Sequence, residues 1–347
     1  MHITRKYKAV IFYGVSGLLL AGIIVLSLSL GQVYIPAKTV LAAIGNALQL
    51  PGIPPDGLTP EQAAVVWHIR LPRVLTALLV GAALAISGAV MQGIFGNPLA
   101  DPGIIGVSNG AAFGAVIAIA LGVTAHSIYL MPLFALGGAL LAVALTVLLA
   151  IRGGKIPVMV LLLSGIAVSM LLSALTSGLL LFMNEYRLRE FLFWVVGGLD
   201  YRLWDHVFMA AGPVLCGIFI LCLMARHLNI LILGEQEARA VGMPVGRYRM
   251  LLLFVATVTT ASAVCVSGSI GFVGLVVPHI IRILLGPEHR VLVPAAALAG
   301  GIFLLGCDTV GRMIIPPTEI RVGIMTALIG APYFLFLLRR IRTGNEV

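Results

Sequence analysis

The sequence predicts an all-α integral membrane protein of about ten transmembrane helices, and three observations carry that prediction. Mean hydropathy is +1.11. Only 10% of the 347 residues are charged, against about 25% in a soluble domain. Apolar runs near the ~20 residues that cross a bilayer recur from one end of the chain to the other. A single soluble core could not bury so much apolar surface, so residues 1–347 read as one transmembrane domain. The spans are expected at 9–32, 71–94, 104–122, 128–151, 157–183, 207–226, 249–267, 271–285, 291–307 and 322–338, the eighth and ninth being short.

Span one follows Arg5, Lys6 and Lys8. Its apolar run exceeds the 7–15 residues of a secretory signal and no small-residue cleavage site follows, so it is expected to be a retained helix with a cytoplasmic N-terminus. Ahead of span two, Arg70 and Arg73 are three residues apart and share a helical face, and Pro72 suits a first turn, where its missing donor costs nothing. Small residues at three- and four-residue spacing (Gly81/Ala85/Gly88, Gly268/Gly271/Gly274, Gly323/Ala327/Ala331) point to closely packed helices. Residues 97–103, from Asn97 and Pro98 through Asp101, Pro102 and Gly103, break the apolar pattern with polar groups and two prolines. Such a break belongs at an interface or cavity, because an unpaired polar group in hydrocarbon costs several kcal/mol. Arg187, Arg189 and Glu190 flank a short surface or re-entrant helix and are expected to be solvated. Between spans six and seven, about 227–248, lies one short surface helix: Glu235 and Glu237 favour its N-terminal end, Ala238 and Ala240 propagate it, and Gly242 stops it before Pro244. Pro278 sits inside span eight and frees one backbone carbonyl. His279 is expected to make an interhelical hydrogen bond, and Arg282, on the same face, to snorkel to the inner interface.

Ten spans put both termini on one side, and the charges say which. Fourteen basic residues against five acidic ones fall on the N-terminal side, while the other side holds eight of each, so the whole net charge of +9 lies on one face. Positive charge accumulates in the cytoplasm, so both termini are expected to be cytoplasmic. Nucleic-acid binding is then an unnecessary explanation of the basic balance. Cys216, Cys222, Cys265 and Cys307 have no metal-ligand spacing and read as packing residues. The phosphate-cradling loop of nucleotide hydrolases is absent: Gly153-Gly154-Lys155 lacks both the leading glycine and the hydroxyl residue. No catalytic set and no metal site is expected, and energy for any pumping must come from a partner.

Asn97 to Gly103 and its continuation through Ile104 to Ala111, the segment around residues 231–244, Gly271 through Pro278, His279 and Arg282, and the stretch from Asp308 to Pro332 resemble one family in order along the chain. It is the permease subunits of type II ABC importers for ferric siderophores, haem and vitamin B12. The resemblance implies a homodimer around a central path lined by spans five and ten. It implies two ATP-binding cassette subunits below, where ATP and Mg bind, and a soluble substrate-binding protein outside. No cofactor is implied on this chain itself, and membrane lipid surrounds it, in a bacterial or archaeal cytoplasmic membrane. Gly234, Glu235, Glu237, Ala238, Arg239 and Gly242 match the helix that couples to the ATPase. Arg70, Arg73 and Arg312 match positions that meet glutamates of the binding protein. Val158 and Met159 fall at a cytoplasmic gate, where a greasy constriction closes by dewetting.

The cargo implied is a large metal chelate, ferric siderophore or haem before cobalamin. The outer histidines His68, His126 and His206 provide no ligand pair for haem. A different class, a secondary transporter driven by an ion gradient, calls for acids deep within spans, and Asp308 is the nearest instance.

Overall fold

A computed structural model of the chain describes residues 2–31, 33–49, 59–151 and 157–342. Within them, the elements run α1 (His2–Ser29), α2 (Ala37–Ala47), α3 (Pro60–Ala64), α4 (Leu71–Phe95), α5 (Val107–Leu121), α6 (Leu130–Ala150), α7 (Val158–Leu180), α8 (Glu185–Val195), α9 (Trp204–Leu231), α10 (Glu235–Ala240), α11 (Val245–Ser267), α12 (Val273–Leu285), α13 (His289–Gly311) and α14 (Val322–Arg342). Among these residues seven helices are long and apolar enough to cross a membrane, and three more apolar helices are shorter: Val107–Leu121, Val273–Leu285 and Val322–Leu337. These ten fall on the ten expected spans. The sequence reading missed α2, which follows α1 and packs against it.

The second span begins earlier than expected. Thr59 and Gln62 form a reciprocal capping box with Pro60 in the first turn. From there α3 runs through a π-helical turn, Val65–Arg70, into α4. Proline explains the π turn. Pro72 has no N–H to offer Trp67, and Leu71 donates to Val66, so the Trp67 carbonyl lacks a helical partner. It accepts instead from the indole nitrogen of Trp204 on α9, at 3.0 Å.

α4 is the centre of the bundle, packed by α9, α11, α12 and α13. Its glycines make this possible: a Cβ on Gly81 would overlap the Gly300 carbonyl, and one on Gly88 would overlap that of Gly274. The Gly81/Ala85/Gly88 row thus has the packing role expected of it, whereas Gly271 of the second row is exposed with nothing near it. Pro278 shows the same logic as Pro72. The carbonyl it leaves without a partner is that of Gly274, four residues back, and the amide nitrogen of Gln92 on α4 reaches it at 3.4 Å and the Leu275 carbonyl at 3.2 Å. A buried glutamine on the central helix therefore satisfies the backbone that proline disrupts.

The 97–103 break is a compact turn. Gly96 ends α4 in the left-handed region, the Asn97 side chain accepts from the Leu99 N–H at 2.9 Å, and Asp101 accepts from the Gly103 N–H at 2.8 Å. Pro102 opens a 3₁₀ turn that leads into α5. Asn97 and Pro98 are exposed and Asp101 half-buried, its second oxygen lying against Gly274. Burial raises the Asp101 carboxyl above its ordinary pKa, partly offset by the Gly103 N–H. The motif's carboxylate and amide serve to turn the chain.

Candidate functional site

Two polar assemblies stand at opposite ends of the bundle. At one end, α4, α13, the segment before α14 and the α8–α9 connection bring their charges together around Arg73. Its guanidinium contacts Asp308 at 2.8 Å, Glu319 at 2.7 Å and Asp200 at 3.5 Å. Asp308 also meets Arg312 at 3.3 Å, one helical turn on, and Asp200 meets Arg321 at 3.3 Å. Arg321 further donates to the Phe193 carbonyl and lies 4.5 Å over the Phe193 ring, which ties the start of α14 to α8. Three arginines and three carboxylates balance. Arg202 and Arg70 add two charges beside them, and burial pushes Arg202 down to about 10.

Arg70 and Arg312 have a second occupation. Arg70 donates to the carbonyls of Leu28 (2.6 Å), Ser29 (2.9 Å) and Val33. Arg312 reaches the Ser27 carbonyl at 3.3 Å, its hydroxyl at 2.6 Å and the Leu30 carbonyl at 3.4 Å. The last carbonyls of a helix have no partner within it and carry its negative pole, so two guanidiniums cap the end of α1. Arg70, Arg73 and Arg312 are the positions that the family resemblance sets against a binding protein. They are 6%, 9% and 6% exposed, and internal carboxylates and carbonyls already engage them. The desolvation cost of a buried guanidinium requires such partners. Asp200, Arg202 and Arg321 are the members that sequence reasoning missed. Arg187 is likewise a structural residue, half-buried and donating at 3.0 Å to the Ala120 carbonyl at the end of α5.

At the other end sits α10, the six-residue helix that the charge pattern anticipates. Gly234 (φ 120°) precedes it and Gly242 (φ 80°) follows it, both in backbone regions that favour glycine. Ala238 is fully buried against Met243 and Val245, with Ile230, Leu231 and Tyr248 around them. Glu235, Glu237, Arg239 and Val241 face outward. Glu235 pairs with Arg239 at 2.5 Å and with Arg249 of α11 at 3.4 Å. An apolar hollow of about 770 Å³ runs from Met243 and Val245 along Met250 to Phe254, with Arg239 and Arg247 at its edge.

Other expected residues have plainer settings. Among the described residues neither ring nitrogen of His279 has a hydrogen-bond partner; its ring instead meets Tyr333 of α14 edge-on at 6.2 Å. The expected interhelical bond belongs to a different histidine, His289, fully buried and bonded to Asn229 at 3.0 Å. Arg282 is half-buried with one terminal nitrogen enclosed. Val158 is half-buried and Met159 is 67% exposed at the start of α7, while Arg152 to Ile156 of the expected gate loop lie outside the described residues. Among the described residues no group of three or more His, Cys, Asp or Glu could hold a metal.

The likeness to known proteins extends over nearly the whole chain. The cobalamin import system permease protein BtuC of Halobacterium salinarum is 44% identical, the alignment covering 96% of this chain and 96% of that protein. The vitamin B12 import system permease protein BtuC of Klebsiella pneumoniae is 38% identical over 98% of this chain and 97% of its own. A solved structure described as an inward-facing conformation of a metal-chelate type ABC transporter superposes with a TM-score of 0.83 at 37% identity, covering 95% of this chain and 99% of that one. Residues 18–340 match the FecCD transport family, and the chain belongs to that family.

Proposed function

We propose that this protein is the membrane-spanning permease subunit of an ATP-driven importer and that its cargo is cobalamin. The observation that carries the reading is near-full-length likeness, at 44% and 38% identity, to two permeases of cobalamin import. The cargo order suggested by family resemblance alone is thereby revised, with cobalamin ahead of ferric siderophore and haem. Two features of the chain agree. The chain has no phosphate-cradling loop, and α10 offers a braced, outward-facing helix for an ATPase subunit to push. An ion-gradient carrier is disfavoured because Asp308, its best candidate acid, is 2% exposed and engaged by two arginines.

In this reading ten spans leave both termini in the cytoplasm, and two copies meet across α7 and α14. α14 presents Gly323, Ile324, Ala327, Leu328 and Ala331 along a shallow apolar hollow of about 460 Å³. α7 exposes Met159, Leu163, Ile166 and Met170 along one stripe. A binding protein with acidic lobes docks on the outer end, where Arg70 and Arg202 make the buried cluster locally positive within a face that is neutral as a whole, and that local field steers its approach. The test is reconstitution in liposomes with the cognate ATPase and binding protein. Labelled cyanocobalamin should accumulate only with ATP and all components, and Val241→Arg, at the exposed residue that follows α10, should release the ATPase. Accumulation by the chain alone under a proton or sodium gradient would refute the reading.

A further inference from the structure

We propose that Arg249 is a positioning residue that fixes α10 to the bundle, so that a push on α10 reaches the membrane helices as rigid-body motion. The proposal rests on the reading of α10 as the ATPase contact. A six-residue helix is too short to hold its own shape, and α10 is bounded by Gly234 and Gly242, both at positive φ. Left to itself, such a segment would pivot or unwind under load.

Three contacts prevent this. Ala238 is a buried knob, held by Met243, Val245 and Tyr248. Tyr248, in the first turn of α11, stacks on His227 of α9 at 4.1 Å and 17°, which joins the two long helices that α10 connects. The Glu235 carboxylate is divided, one oxygen on Arg239 within α10 and the other on Arg249 of α11. The Arg239 side chain is 50% exposed, so that pair contributes little. The Arg249 side chain is 11% exposed and less screened. Glu235–Arg249 is therefore a polar tie between lever and bundle, with only its Glu235 end open to water, and Ala238 is its apolar counterpart. Sequence alone gives Arg249 no distinction among the arginines of the inner face.

The experiment uses the assembled complex of permease, ATPase and binding protein, and reads how strongly the binding protein stimulates ATP hydrolysis. That signal must cross the permease and does not depend on the identity of the cargo. Arg249→Met should keep the ATPase bound and basal hydrolysis running, while stimulation falls about tenfold. Arg249→Lys should restore most of it. Should Arg249→Met fail to fold, Glu235→Gln weakens the same tie and should lower stimulation likewise. Full stimulation in Arg249→Met, or loss of the ATPase from that complex, would overturn the proposal. Retention of the ATPase by Val241→Arg would instead sink the α10 reading itself, so the two failures are distinguishable.

Discussion

Replacing Arg73 by methionine tests whether the charge cluster around it holds the bundle together. The substitution keeps an unbranched side chain of similar length and removes the guanidinium that contacts carboxylates from three elements. Glu319 and Asp200 are 25% and 19% exposed and can turn to water, so each contributes little once released. Asp308 cannot: its side chain is 2% exposed, and Arg73 meets it through two nitrogens at 2.8–3.2 Å. Breaking a buried pair by removing one partner costs about 3–5 kcal/mol. Arg312 remains 3.3 Å from Asp308, which places the expected loss near the lower end, about 3 kcal/mol. At roughly 2 °C per kcal/mol for a chain of this size, the midpoint should fall by about 6 °C. Thermal unfolding of the purified protein can be followed with a thiol-reactive dye, because Cys265 and Cys307 are buried and react only on opening. Pairing Arg73→Met with Asp308→Asn should recover part of the loss, since neither charge is then left alone. A midpoint within a degree of the parent, or double-variant losses that simply add, would refute the reasoning.

Gln92→Leu should cost about 1–3 kcal/mol, because the Gly274 carbonyl, which Pro278 cannot serve, loses the Gln92 amide; the same thiol assay measures it. Asp101→Asn keeps the acceptor for the Gly103 N–H and should be neutral or stabilising, whereas Asp101→Ala should cost about 1 kcal/mol. Burial raises the folded pKa of Asp101, so the native state holds that proton longer than the unfolded chain. Parent stability should therefore decline as pH rises from the unfolded carboxylate value to the raised one, and Asp101→Asn should flatten that slope in denaturation measured across pH. Arg70→Met and Arg312→Met each uncap the end of α1, and protease cleavage between α1 and α2 should accelerate in both. Unchanged cleavage would remove the capping assignment.

The sequence by itself determined the all-helical membrane class, the positions of the long apolar helices, and α10, because each is a local property. A run of apolar residues must leave water wherever it lies, acids favour a helix start, and Gly242 ends a helix regardless of what packs against it. It also indicated that Pro278 would strand a carbonyl, since that follows from covalent structure. What it could not supply was the partner, because Gln92 lies 182 residues from the Gly274 carbonyl it satisfies. The arginines show the same boundary. Read along the chain, Arg70, Arg73 and Arg312 are cations near helix ends and look available to another protein. Only the tertiary structure brings Asp200, Asp308, Glu319 and the open carbonyls of α1 to them, across as many as 285 residues. Likewise His279 and His289 are alike in sequence, and packing alone decides that one meets an aromatic edge and the other an asparagine. Helices follow from composition over some twenty residues, whereas the pairing of a buried charge depends on which helices the glycines allow into contact.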